Sequence, residues 1–357
     1  GRVAPNARAG HLVSPATVNS FKLVNRLLAA GTDVYRLPQG AHTTEEFGPG
    51  TYFIPSHPRS DAIMRAAADE LGLSATGLNQ APSGPRVKLA AQRIALWDVY
   101  GGSMPSGWTR WLLEQHDFPF DLVYPGQIDA GVLKERYDVL ILPSGAIPLT
   151  KALGGPPAPR SSYILRTPQR EDMPSEFHGL LGSFSEEKTV PALRAFVEAG
   201  GTIVAVGTSS QLAYHLELPV RNALVELTAD GREQRLPREK FFVPGSVLRA
   251  AVDPSQPLAW GMPGEVDVYF DNNPVFRLRP GAIIAGAKPI AWFASAEPLR
   301  SGWAWGQAYL NEGILAVDLP VGQGKVRLLT PEVTFRAQPY GTFKLLFNAL
   351  HRHVDAP

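Results

Sequence analysis

The sequence predicts an α/β protein, a doubly wound and mostly parallel sheet preceded by a small α/β subdomain. Three observations predict it. From Arg93 onward, short apolar strands alternate with helical spacings, the pattern of β-α-β units. The strand Thr202-Ile203-Val204-Ala205-Val206 runs into Gly207-Thr208-Ser209-Ser210-Gln211, which has the form of a nucleophile elbow. A late strand, Val326-Arg327-Leu328-Leu329, ends in Thr330-Pro331-Glu332, placing polar groups at the sheet edge where such folds bind ligands.

Residues 1–85 are expected to form the small subdomain. His11-Leu12-Val13-Ser14 is a short apolar stretch. Thr17 to Ala30 has helical spacing, with Phe21, Val24, Leu27 and Leu28 on one face and Gly31 as the stop. Asp33–Leu37 and Thr51–Ile54 are strands. Asp61 to Leu71 is a helix closed by Gly72, and the block ends in the loop Ala81-Pro82-Ser83-Gly84-Pro85.

Residues 86–357 form the larger domain. Arg93–Asp98 is a strand with a polar end, and the loop Tyr100–Gly107 leads into a helix from Trp108 to Gln115. Asp121–Tyr124 and Asp138–Pro143 are the next strands. Residues 148–185 are rich in Pro, Gly and Ser, an expected insertion. A helix from Val190 to Ala199 stops at Gly200-Gly201 and feeds the elbow strand. Residues 228–300 carry short strands between Pro/Gly turns, a second, β-rich insertion. A C-terminal helix, Gly341 to His351, buries Phe343, Leu346, Phe347 and Leu350.

Composition narrows the function. Lys+Arg 34 against Asp+Glu 33 leaves a net charge of +1, which favours neither nucleic acid nor an anionic membrane as partner. The absence of cysteine excludes a thiol nucleophile, a cysteine zinc site and disulfides. No apolar run approaches the ~18–20 residues of a membrane span. The start Gly1-Arg2-Val3-Ala4-Pro5 is expected to be an internal point of a longer protein.

The order of these motifs resembles the class I glutamine amidotransferases, whose fold is flavodoxin-like. In active members the elbow reads Gly-x-Cys-x-Gly and the later motif ends His-Pro-Glu. Here Gly207 matches the first glycine, Ser209 falls at the cysteine and Gln211 replaces the second glycine. Thr330 falls at the histidine, while Pro331 and Glu332 match. The longer strings Leu96–Trp111, Leu299–Gln307 and Thr334–Lys344 resemble the amidotransferase-like C-terminal region of secreted bacterial zinc carboxypeptidases of the carboxypeptidase A family. That resemblance covers nearly the whole chain. It implies an exported protein, periplasmic or extracellular, and an upstream peptidase domain of the same polypeptide as partner. Zinc would belong to that domain, with no cofactor in this chain. The implied role is a non-catalytic accessory module that supports or regulates the peptidase, or binds a peptide or glycan. A hydrolase using Ser209 at the degenerate elbow is the alternative.

Each candidate residue has a structural reading beside the functional one. Ser209 could be a nucleophile only with a base and an oxyanion hole. Thr330 cannot be that base, and His215 lies six residues along on another face, so Ser209 and Ser210 are expected to cap a helix. His42-Thr43-Thr44-Glu45 with His178 imitates a zinc motif, but His42 sits in a loop and no metal site is expected. His351 and His353 diverge and are expected to face solvent. Tyr100, Ser103 and Ser106 lie in a glycine-rich loop suited to a ligand; otherwise it is a packing loop with Trp108 and Trp111 in the core. The loop lacks the nucleotide-binding glycine patterns. Arg336, Gln338 and Tyr340 should face the same edge, with Arg336 pairing Glu332 or Asp98 or binding a carboxylate. Trp303 and Trp305 alternate, so in a strand both would face one side, as a stacking platform or as a buried pair.

Overall fold

Alternate residues of each central strand feed different cores, as a sheet covered on both faces requires. Ile94, Leu96, Ile141 and Val204 belong to one apolar cluster. Their neighbours Ala95, Trp97, Leu140 and Ile203 belong to another. These assignments come from a computed structural model, which describes residues 1–5, 7–38, 47–148 and 168–354.

Five strands lie parallel: Ile94–Trp97, Asp121–Val123, Val139–Leu142, Thr202–Val206 and Gly324–Leu329. Across the sheet they run second, first, third, fourth, fifth, the flavodoxin-like order. The order reverses between Ile94–Trp97 and Val139–Leu142, and the functional edge of such sheets is centred there. Helices Met104–Gln115 and Thr189–Glu198 are among the crossovers.

Beyond Gly324–Leu329 the same sheet continues antiparallel, through Ile314–Val321, Lys288–Trp292, Pro244–Val252 and Glu265–Asp271. The switch is made by a hairpin in which Val321 pairs with Gly324, leaving Gly322-Gln323 as the turn with Gly322 at φ +57. The β-rich stretch expected at 228–300 therefore builds onto the main sheet. Its strand Glu265–Asp271 alternates exposed Glu265 and Asp267 with buried Val266, Val268 and Phe270, a half-buried edge.

A second sheet holds Gly10–Val13, Tyr35–Leu37, Thr51–Pro55 and Thr76–Leu78, with helices Asn19–Ala29 and Pro58–Leu71 between them. Its first four strands lie in the order fourth, first, third, second, all antiparallel, the split β-α-β arrangement of ferredoxin-like folds. Strands Val87–Ala90 and Arg352–Val354 extend it beyond Tyr35–Leu37. Helix Pro58–Leu71 starts before the expected Asp61, because Pro58 occupies its first turn and the His57 ring accepts the Arg59 N–H. Gly72, left-handed at φ +70, ends it.

The chain's return to this sheet changes the fate of two histidines. The final helix spans Phe343–Ala349 and the chain then enters Arg352–Val354, so His351 is buried rather than solvent-facing. Its ring stacks on Phe21 at 5.7 Å, and its Nε2 meets Asn25 Oδ1 at 2.9 Å. His353 stacks on Trp260 at 5.2 Å. Burial pushes the His353 pKa down to about 3 and drives that of His351 well below the usual histidine range.

Between the two sheets lies Arg36, buried although charged. Its guanidinium donates to Gly50 O at 2.6 Å and Asn348 Oδ1 at 2.7 Å, and lies 3.9 Å from the Tyr52 ring centre. Carbonyl dipoles and an aromatic face offset the cost of burying the charge.

Candidate functional site at the carboxyl edge

Four strand ends converge on the carboxyl edge. They deliver Asp98, Ser144, the turn Gly207–Gln211 and the segment Thr330–Glu332. Within 206–211 the left-handed residue is Gly207, at φ +60, directly after the strand. The apex of the elbow thus carries no side chain. A Cβ built there would stand 2.5 Å from Ser144 Oγ and 3.1 Å from Glu332 Cγ, so both residues fill the space above the turn.

Ser209 lies two residues further on and is fully buried. Its hydroxyl donates to Pro143 O at 2.5 Å and accepts the Ile147 N–H at 3.1 Å. It ties the loop after strand Val139–Leu142 to the elbow. Neither Ser209 nor Ser210 caps the following helix Leu212–His215; Ser210 bonds back to Gly207 O at 2.7 Å. Thr330 is buried, its N–H donating to Leu315 O at 2.8 Å and its hydroxyl unpartnered among the described residues. The His215 ring lies against Phe184 and meets Pro148 O at 2.9 Å.

The polar contacts at the edge pass through Ser144. Its hydroxyl accepts the Thr208 N–H at 3.2 Å and lies 3.2 Å from Thr208 Oγ1, and Glu332 flanks the same space above Gly207. Thr208 Oγ1 also accepts the Gly145 N–H at 2.9 Å. Burial pushes the Glu332 pKa up, Ser144 opposes the rise, Asp271 adds to it and Arg336 opposes it. Asp98 accepts the N–H groups of Val99 and Ser103, both at 2.9 Å, and burial pushes its pKa up as well.

The loop after Asp98 uses its hydroxyls internally. Ser103 caps helix Met104–Gln115 by accepting the Ser106 N–H, and Ser106 donates to Trp97 O at 2.9 Å. Tyr100 is half-buried, edge-on to Phe177. Thr109, Leu112 and Leu113 are the inward positions of that helix, so Trp108 and Trp111 fall on its outer side, 37% and 43% exposed. They are not core residues.

Arg336 makes no ion pair among the described residues. It is left-handed at φ +46, is followed by left-handed Ala337 at φ +53, and holds its guanidinium 5.2 Å from the Phe335 ring centre. Phe335 in turn stacks on Tyr269 at 3.7 Å. Gln338 and Tyr340 are exposed beside it. Trp303 and Trp305 lie outside the strand Leu299–Ser301, so strand alternation does not orient them. Both are about half exposed, Trp303 edge-on to Phe242 and Trp305 donating its indole N–H to Glu239 O at 2.6 Å.

His42 and Glu45 lie outside the described residues. The His178 ring bonds Met173 O at 2.9 Å, and among the described residues no cluster of His, Asp and Glu could hold a metal. No helix among them is long and apolar enough to cross a membrane. The residues that sequence reasoning missed are Ser144 and Thr208. Their available signal was Pro143-Ser144-Gly145 directly after a buried strand, the same grammar as the elbow itself.

No family model matches the chain, and no curated protein matches it. Solved structures similar to it include a ThuA-like protein from Bacteroides uniformis, at 8% identity over 72% of this chain and 89% of that one, with TM-score 0.38. A GMP synthase subunit-type protein from Thermoplasma acidophilum is similar at 13% identity, over 72% of this chain and 92% of that one, with TM-score 0.41. A β-galactosidase from Bacillus circulans is similar at 10% identity over 82% of this chain but 34% of its own length, with TM-score 0.38. The fold is doubly wound α/β. The strand order, not these distant likenesses, places it there.

Proposed function

We propose that the chain is a non-catalytic binding module on an amidotransferase-like frame. The observation that carries this reading is the filled apex: Gly207 has no side chain, and Ser144 and Glu332 occupy the space where one would stand. The two hydroxyls nearest in sequence to a nucleophile position are also committed, Ser209 to Pro143 O and Ile147 N–H, Thr208 to Ser144 and Gly145. A nucleophile needs a free lone pair and a base within reach, and no histidine contacts either hydroxyl among the described residues.

What the module binds is expected at the rim of the same edge, where Tyr100, Arg336, Gln338 and Tyr340 retain exposed or half-exposed side chains. A peptide or glycan suits this mixture of aromatic faces and a guanidinium without an ion pair among the described residues. The strings 96–111, 299–307 and 334–344 support a setting beside an exported zinc carboxypeptidase domain, which the module would support or regulate.

The test is hydrolysis of glutamine, ester and amide substrates by the purified chain, with Ser209→Ala beside it. The expected result is no turnover by either. Turnover lost in Ser209→Ala would establish the hydrolase reading instead. Tryptophan fluorescence titrated with peptides and glycans tests the binding role; a flat response to the whole panel would overturn it.

A further inference from the structure

The β-rich extension holds a pair of arginines that the carboxyl edge does not use. Strands Val220–Asn222 and Phe276–Leu278 pair antiparallel with Arg221 directly opposite Arg277. Partners in a ladder share a face with their Cβ atoms about 5 Å apart, where like charges repel. Both arginines line one cavity of about 440 Å³, whose wall also carries Tyr309 and the glutamates Glu226, Glu233 and Glu312, with Glu226 paired to Lys240.

Each arginine is held by a glutamate that water can readily take back. Arg221 meets Glu233 at 2.8 Å and Arg277 meets Glu312 at 3.3 Å, and the glutamate side chains are 44% and 77% exposed. Ion pairs this exposed are weak, so exchanging the carboxylate for a ligand's costs little. Arg277 is also positioned from behind, donating to Asn311 O at 2.9 Å. Arg221 borders a second hollow of about 650 Å³, walled by Leu278, Ala282, Ile283 and Ile284 together with Arg279. Ile283 and Ile284 are 59% and 94% exposed, an apolar surface beside Arg221 and Arg279.

We propose that this is a binding site for a small amphiphilic anion. Its carboxylate or phosphate head would bridge Arg221 and Arg277, displacing Glu233 and Glu312, and its apolar tail would lie along Ile283 and Ile284. The site is separate from the carboxyl edge, and the proposal does not depend on the function argued for that edge.

Calorimetric titration of the whole chain with octanoate and octyl phosphate tests it, with acetate, inorganic phosphate and octan-1-ol as head-only and tail-only probes. The amphiphiles are expected to bind at least about tenfold more tightly than any of the three. Whichever of octanoate and octyl phosphate binds better identifies the head group. Arg277→Gln is expected to weaken binding by about tenfold with an unchanged thermal melt, and Glu312→Gln to strengthen it severalfold by removing the competing carboxylate. If Arg277→Gln does not fold, Arg221→Gln carries the same expectation. Octan-1-ol binding as tightly as octanoate, an unaltered affinity in the folded arginine variant, or weaker binding in Glu312→Gln would each overturn the proposal.

Discussion

Ser144 and Gly207 share one space: the serine hydroxyl lies 2.5 Å from where the glycine's Cβ would be. The residues are far apart in sequence and end adjacent parallel strands, Val139–Leu142 and Thr202–Val206. This contact determines that the elbow holds its backbone shape without a side chain at its apex.

Gly207→Ala is therefore expected to destabilise the protein by about 2–4 kcal/mol, from the left-handed backbone together with overpacking against Ser144. Urea denaturation measures it. In the background of Ser144→Gly the same change should cost less, because the overpacking component is relieved. Equal costs in the two backgrounds would show that the contact is not what restricts position 207.

Ser209→Ala should cost about 1–2 kcal/mol, because Ile147 N–H and Pro143 C=O lose their buried partner. The loss is one of stability. A folded variant with full stability would mean that water or a neighbour satisfies both groups.

Glu332 gives the edge a pH dependence. Its folded pKa is raised, chiefly by burial, so the folded state holds the proton more tightly than the unfolded chain. That stabilising contribution is fully present below the ordinary glutamate value of about 4.3 and is lost as the pH rises through the folded value. Glu332→Gln stays neutral throughout and should gain stability relative to the parent as the pH rises above the ordinary glutamate range. A stability difference that stays flat as the pH rises would contradict the assignment.

Tryptophan exposure separates the rim from the core. Trp108, Trp111, Trp303 and Trp305 are exposed, whereas Trp97 and Trp260 are buried. Acrylamide should quench a red-shifted majority of the emission, and Trp108→Phe should remove part of that quenchable fraction with a stability change below about 0.5 kcal/mol. A larger loss of stability would mean that Trp108 packs inside.

Much of the central sheet was legible in the chain. Val139–Leu142 and Thr202–Val206 are apolar runs with polar ends, because parallel strands are buried on both faces and only their ends meet solvent. The helix stop at Gly72 and the turn at Gly207 were equally readable, since a left-handed backbone selects glycine locally. The site was harder to read. Ser209 resembles a nucleophile in sequence, yet its direction depends on Pro143 and Ile147, which sequence spacing does not place beside it. Trp108 and Trp111 have the composition of core residues, but the helix turns Thr109, Leu112 and Leu113 inward instead.

The sequence by itself determined the central parallel strands, the turn at Gly207 and the absence of cysteine from the chain and of histidine from position 330, all properties of residue type and near neighbours. Tertiary structure decided who occupies the apex, where Ser209 points, and that His351 is buried by the chain's return to the first sheet. It also decided that the β-rich stretch extends the main sheet and sets Arg221 opposite Arg277. Each of these depends on contacts between segments distant in sequence, and close packing, rather than local preference, sets which side chains can share a space.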